Sequence, residues 1–232
     1  MTADPALGAR IQELGITRLC HLTPTRNFVH IAAEGSGLLS LAQLDDDVRS
    51  VFQQQDPNRW DGHPDHISCS IQYPNAWYLR QKKTAFGEAA NFPDWTMLGI
   101  DPRHLLREDT LFCPENAAKG RGARLRGGLV GFEALYENEG PYPRSPTRIG
   151  ACPSNDQAEA MICRQIPLDD ITTIFVPDAA QAARQYVQLE QIGVDPTSFD
   201  YVIAPDFFDA RRLSAEMRDG SPPSEIEWNP SG

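Results

Sequence analysis

The stretch that most constrains this chain is residues 19–40, LCHLTPTRNFVHIAAEGSGLLS. Its first five residues read as a short apolar strand. Pro24 ends that strand, because proline offers no N–H to a ladder and biases the preceding residue away from helix. Thr25 then suits the N-cap of a short helix over 26–34. Phe28 and Ile31 give the helix an apolar face, and Gly35 and Gly37 stop it. His21 and Thr23 occupy alternate strand positions and so point to one side. Asn27 follows at the mouth of the helix. Three polar groups are thereby brought to one strand-to-helix junction, where they can converge on a single small ligand.

The rest of the composition sets limits. With 232 residues and 41% hydrophobic content, the chain suits one domain over 1–219, followed by a tail over 220–232 (Gly220-Ser-Pro-Pro-Ser at its start) expected to be poorly ordered. No apolar run approaches the roughly 20 residues of a membrane helix. The first residues lack the basic and apolar regions of a secretory signal. The five cysteines show no paired short spacing. These features point to a cytoplasmic, reducing setting with no membrane partner. The net charge of −11 argues against coating nucleic acid by bulk electrostatics. A local grip stays open through the glycine-interleaved cations Lys119, Arg121, Arg124 and Arg126, which read as a mobile basic loop suited to phosphates.

Further along the chain, residues 6–15 read as a helix, and 41–53 have rough helical periodicity. Residues 54–66 are polar, with turn signals at Asp56-Pro57-Asn58 and Asp61-Gly62. His63 and His66 there suggest metal ligands only weakly, and no metal is expected. Alternation of Ile67, Cys69, Ile71 and Tyr73 gives a half-buried strand. The bend at Pro74-Asn75 then brings Tyr73, Trp77 and Tyr78 together, and one of the tyrosines suits stacking on a flat ring. Trp95–Ile100 is another strand. A short helix is expected over 132–136, followed by a Pro- and Gly-rich loop holding Arg144 and Arg148. Residues 158–163 read as a strand with Glu159 facing away from Ala158 and Ala160, and 171–176 as a further strand. A helix over 178–192 begins at the cap Asp178.

The opening pattern His-x-Thr-x-x-x-Asn-Phe-x-x-Ile followed by Gly-Leu-Leu, and the second pattern Gln157-Ala158-Glu159 with its apolar pair, Pro167 and Ile171-x-x-Ile-x-Val176, resemble the DarT family. These are NAD-dependent ADP-ribosyltransferases that modify bases in single-stranded DNA. The strand before Asn116-Ala117 is similar to a third family element. Two positions depart from the pattern: Pro24, where members often carry a second His, and Asn75, where an NAD-contacting Arg is expected, so that Arg80 is a candidate to supply its charge.

The resemblance implies an α+β chain with the ADP-ribosyltransferase fold, two packed twisted β-sheets with flanking helices and a cleft for NAD. Glu159 carries over as the catalytic residue, with His21 beside it. His21, Thr23, Asn27, Tyr73, Asn75, Tyr78 and Arg80 become candidates for the cofactor. Lys119, Arg121, Arg124, Arg126, Arg144 and Arg148 become candidates for a single DNA strand carrying thymine or guanine as target. The family also implies a toxin restrained by a macrodomain antitoxin, in toxin–antitoxin or phage-defence pairs. The chemistry is substitution at the anomeric carbon of the nicotinamide ribose through a ribosyl cation, comparable with glycoside hydrolysis. A transferase acting on RNA or protein, an NAD-using RNA 2′-phosphotransferase, a catalytically inactive nucleic-acid-binding module and a cysteine hydrolase built on Cys20 or Cys69 are the alternatives.

Overall fold

The computed structural model describes residues 4–45, 59–86, 94–138 and 143–230. Asp4 opens α1 (Pro5–Leu14), its carboxylate accepting from the Ala6 N–H at 2.9 Å. β1 (Leu19–Pro24) runs without a loop into α2 (Thr25–Glu34), which Gly35 closes in the left-handed region at φ 68°. The expected cap is corrected here. Thr25 is already helical, no side chain caps α2, and the Thr25 hydroxyl pairs instead with that of Thr96 at 2.7 Å in a buried layer.

The chain continues through β2 (Leu38–Leu39), β3 (His66–Ile71), α3 (Ala76–Phe86), β4 (Trp95–Ile100), β5 (Leu111–Cys113), β6 (Arg126–Gly127) and α4 (Gly128–Glu133). It ends with β7 (Glu159–Cys163), β8 (Gln165–Ile166), β9 (Ile171–Val176), α5 (Ala179–Gln191), β10 (Asp200–Ile203), α6 (Ala210–Asp219) and β11 (Ile226–Trp228). Most of the 41–53 segment lies outside the described residues, and Leu41–Gln43 forms a 3-10 turn. The helix read over 132–136 starts earlier, at Gly128, and ends at Glu133.

Nine of these strands make one hydrogen-bonded sheet in the order β11-β10-β9-β4-β1-β3-β7-β5-β6, and β2 pairs with β8 apart from it. β9 and β10 are parallel, joined through α5. The two expected sheets are thus two wings of one ladder. β1 pairs with β4 along six positions, from Leu19↔Ile100 to Pro24↔Trp95. It pairs with β3 at only two, Leu19↔Ile71 and Cys20↔Ser70, and then the wings part.

Helices cover both faces of the first wing, so every residue of β4 is buried. Alternation divides them. Leu98 and Ile100 join the core under α2 and α5 with Phe28, Ile31 and Leu189. Trp95 and Met97 join the opposite core with Leu79, Phe207 and Leu213. Residues 226–228, expected within a poorly ordered tail, instead extend the sheet edge. Trp228 packs on Tyr186 and Tyr201, and Glu225 forms an ion pair with Arg18. Both anchors come from distant parts of the chain, which local composition does not register.

Candidate active site

A cavity of about 260 Å³ opens where β1 and β3 part. His21 and Thr23 of β1 and Asn27 of α2 line it, as the opening motif requires, together with Ser36–Ser40, Ser68, Ser70, Asn75, Tyr78 and Glu159. Gly37 lets the β2 wall lie against β8. It sits at φ 76°, and a Cβ there would stand 2.2 Å from the Ile166 carbonyl oxygen, so no other residue fits this approach.

His21 Nδ1 lies 2.9 Å from the Ser68 carbonyl oxygen. A carbonyl only accepts, so Nδ1 carries the proton and the neutral ring keeps Nε2 as an acceptor. Burial, helped by the Arg59 cation, holds the His21 pKa below the usual histidine value despite the Ser68 bond. The ring is therefore neutral at pH 7.

Glu159 begins β7 opposite Cys113. The turn after β5 delivers two donors to it. The Ala117 N–H reaches Oε2 at 3.0 Å, and Asn116 Nδ2 reaches Oε1 at 3.4 Å. Both bonds favour the carboxylate, yet burial outweighs them and raises the Glu159 pKa to about 7. A carboxyl group poised there exchanges protons at neutral pH, which suits general base chemistry.

Asn75 caps α3. Its Oδ1 accepts from the Tyr78 N–H at 2.9 Å, and its own N–H donates to Ser70 Oγ at 3.0 Å. Tyr78 lines the cavity, whereas Tyr73 does not. Tyr73 is buried edge-on against Phe207 with the Arg18 guanidinium over its ring, so its candidacy for the cofactor is corrected to a core role. Arg80 is likewise corrected. It projects outside the cavity wall, exposed, with its guanidinium over Trp77. The cation that the described wall does contain is Arg59. Arg59 is held at φ 41°, donates to the carbonyls of His66 (2.8 Å) and His63 (2.6 Å), and pairs with Asp61 at 3.1 Å. Sequence reasoning passed over both residues. They sit in a polar, aperiodic segment whose local signals are turns, Asp61-Gly62 among them, and these give no direction to a side chain.

The basic candidates divide. Lys119 and Arg124 both close on Glu115, at 2.9 and 3.2 Å. Arg126 donates to the carbonyls of Leu125 and Ala123, and Arg121 is exposed. The segment is a folded turn, with the Gly122 N–H on the Ala117 carbonyl at 2.9 Å, rather than the expected mobile loop. Arg144 and Arg148 are corrected from nucleic-acid contacts to internal clamps. Arg144 donates to the carbonyls of Cys152, Ile149 and Gly150. Arg148, its side chain only 6% exposed, pairs with Asp156 at 2.7 Å and donates to the Pro153 carbonyl. Asp156 also accepts from Trp77 Nε1 and Ser214 Oγ. These bonds tie down the segment that leads into Glu159.

The possible ligand atoms of His63, Asp65 and His66 lie within 4.8 Å of one another. Both ring nitrogens of His66 are already engaged, Nδ1 with Asp65 at 2.9 Å and Nε2 with the Asp109 carbonyl at 3.2 Å, so the group is held as a hydrogen-bonded cluster. Among the described residues no helix is long and apolar enough to cross a membrane.

The family model described as "ssDNA thymidine ADP-ribosyltransferase, DarT" matches residues 20–209. Among solved structures, the chain is similar to Thermus sp. 2.9 DarT in complex with ADP-ribosylated ssDNA. That match has TM-score 0.57 and 16% identity, and covers 84% of this chain and 97% of that one. It is also similar to the same protein in complex with NAD+ (TM-score 0.52, 18% identity, 76% and 90% covered). A third likeness is to Thermosipho africanus DarTG in complex with ADP-ribose (TM-score 0.53, 14% identity), covering 83% of this chain and 51% of that one. No curated protein sequence matches. At such identities the structural likeness shows the fold, and the family match spans most of the sequence. The chain belongs to the DarT family of NAD-dependent, single-stranded-DNA thymidine ADP-ribosyltransferases.

Proposed function

We propose that the cleft between β1 and β3 binds NAD and that Glu159 directs transfer of its ADP-ribose to thymine in single-stranded DNA. The observation that carries this reading is the carboxylate of Glu159, poised near neutrality on the same wall system as the neutral His21. In the reaction the bond from the anomeric carbon to the nicotinamide nitrogen breaks first, and nicotinamide leaves with the electron pair. The resulting ribosyl cation is stabilised by a nearby carboxylate. A thymine ring nitrogen then forms the new bond, and its proton passes to Glu159. The cationic nicotinamide ring of bound NAD favours the ionised form of Glu159, which readies it for that proton.

His21 Nε2 accepts from a ribose hydroxyl in this account, with Thr23 and Asn27 bonding the same end of the cofactor. Tyr78 packs on the nicotinamide ring, and Asn75 faces the cofactor while holding the start of α3. Arg59, the cation of the described wall, lies beside the cofactor in place of the arginine expected at position 75, its charge already shared with Asp61. A single strand presents its bases without the cost of unpairing them. The likeness to a DarTG protein supports a DarG-type macrodomain antitoxin as the protein partner, and with it a toxin role in a cytoplasmic toxin–antitoxin or phage-defence pair.

The test is mass spectrometry of single-stranded oligonucleotides, each with one kind of target base, after incubation with the protein and NAD. A gain of one ADP-ribose confined to thymine-bearing strands is expected. Gain on guanine strands alone would change the base, gain only on RNA or protein controls would refute the DNA assignment, and no gain with no nicotinamide released would refute the reaction.

A further inference from the structure

Trp60 is exposed over 56% of its surface, although it stands between two residues, Arg59 and Asp61, that line the cleft. It sits on a turn closed by the Gly62 N–H on the Arg59 carbonyl at 2.9 Å. The turn is rigid: the guanidinium of Arg59 is bonded to three partners within the segment 61–66, and Asp61 also accepts from the His63 N–H at 2.7 Å. An indole left more than half exposed on a turn so closely hydrogen-bonded has the arrangement of a stacking platform.

The surroundings of the turn point to what stacks there. Of the four described non-glycine residues with positive φ, three are arginines: Arg59, Arg121 (φ 51°) and Arg164 (φ 63°). All three meet this turn or the residues just after it. Gly122, next to Arg121, approaches so closely that a Cβ on it would stand 2.2 Å from the Asp61 carbonyl oxygen. The Arg164 N–H donates to the Asp65 carbonyl at 2.7 Å. Left-handed backbone in a large residue persists only where the surroundings enforce it, and such positions concentrate at functional sites. The guanidinium groups of Arg121 and Arg164 are exposed, and neither has a hydrogen-bond or ion-pair partner among the described residues. That sets them apart from Lys119 and Arg124, which share Glu115 at the surface, and from Arg144 and Arg148, which bond to carbonyls and a carboxylate of their own segment. In a chain of net charge −11, an exposed indole near two segments that meet Asp61 and Asp65 and carry unpartnered guanidinium groups matches a base and its neighbouring phosphates.

We infer that Trp60 stacks on a base of the single strand next to the target nucleotide, and that Arg121 and Arg164 contact the strand's phosphates on either side. This rests on the single-stranded-DNA reading above.

The experiment is the steady-state KM for a thymine-bearing oligonucleotide at saturating NAD, with NAD affinity measured separately by titration. Trp60→Ala should raise the oligonucleotide KM about tenfold to a hundredfold, and Trp60→Phe should recover most of that loss, with NAD affinity unchanged for both. Arg121→Ala and Arg164→Ala together should flatten the slope of log affinity against log salt by roughly 1.4, about 0.7 for each lost phosphate contact on a single strand. An oligonucleotide KM within twofold of wild type for Trp60→Ala overturns the inference. So does a loss of NAD affinity in the same proportion, which would make Trp60 a prop of the cleft. A wild-type protein that consumes NAD and modifies no single strand brings down the DNA reading itself, a different result from either.

Discussion

β1 treats its two neighbours differently. Against β4 it keeps a six-position ladder, with helices packed on both faces and no exposed residue on the partner strand. Against β3 it keeps two pairs and lets go, and the polar groups of the opening motif line the gap. The same six residues thus form a structural seam on one edge and a binding wall on the other. A broken ladder leaves backbone groups in want of partners, and here a side chain takes one up: His21 bridges to the Ser68 carbonyl across the opening. The closed edge should carry stability and the open edge chemistry, and substitutions can pull these apart.

The largest expected effect is on the closed edge. Leu98 is fully buried in β4, and Leu98→Ala should cost about 2–5 kcal/mol of unfolding free energy, read from urea denaturation. A cost well under 1 kcal/mol would mean that this wing is not the frame.

On the open edge, Glu159 should act in the opposite sense. Its folded pKa of about 7 lies above the ordinary glutamate value of 4.5, so the folded chain binds that proton more tightly than the unfolded chain. The stabilisation from the buried neutral acid is complete below the unfolded pKa and is lost as pH rises through the folded one. Glu159→Gln does not titrate. It should therefore be more stable than wild type at pH 8.5, by on the order of 3 kcal/mol, with the advantage gone by about pH 4.5. Thermal melts of both proteins across that range test this, and a constant difference would refute the link to Glu159 ionisation. The same ionisation predicts that kcat/KM for transfer rises through an apparent pKa near 7 in the free enzyme.

The smallest expected effect separates the two jobs of His21. Asparagine can place an N–H where Nδ1–H stands but offers nothing in place of Nε2. His21→Asn should stay within about 1 kcal/mol of wild-type stability, the worth of a single hydrogen bond, while the KM for NAD rises about fivefold, as for a lost hydrogen bond of that size. Equal losses in both would make His21 a brace across the gap and no more.

What the sequence made legible follows the same division. β1, α2 and β7 carry strong local signals, with alternation, a proline stop and a glycine stop, and they place His21, Thr23, Asn27 and Glu159 on one cleft. Orientation at the Pro74-Asn75 bend was not legible. Tyr73 and Tyr78 look alike in sequence, and only the packing of Phe207 and Arg18 turns Tyr73 inward. Arginines were the least legible. Arg148 looks like an exposed cation until Asp156 and the Pro153 carbonyl are in place, and Arg59 gives no sign until the turn folds over His63 and His66. β11 depends on Arg18, Tyr186 and Tyr201, all remote in sequence. Local composition reports on strands and stops, and it is silent on which partner a charged or aromatic side chain will find.

The most direct test of the account is the rate of ADP-ribose transfer to a thymine-bearing single strand by wild type and Glu159→Ala, at pH 8 with saturating NAD, after both are shown to be folded. A loss of at least about 100-fold is expected, the scale of general acid–base catalysis. Transfer within a few-fold of wild type would contradict it, because the carboxylate at the mouth of the opened ladder would then not be the group that does the chemistry.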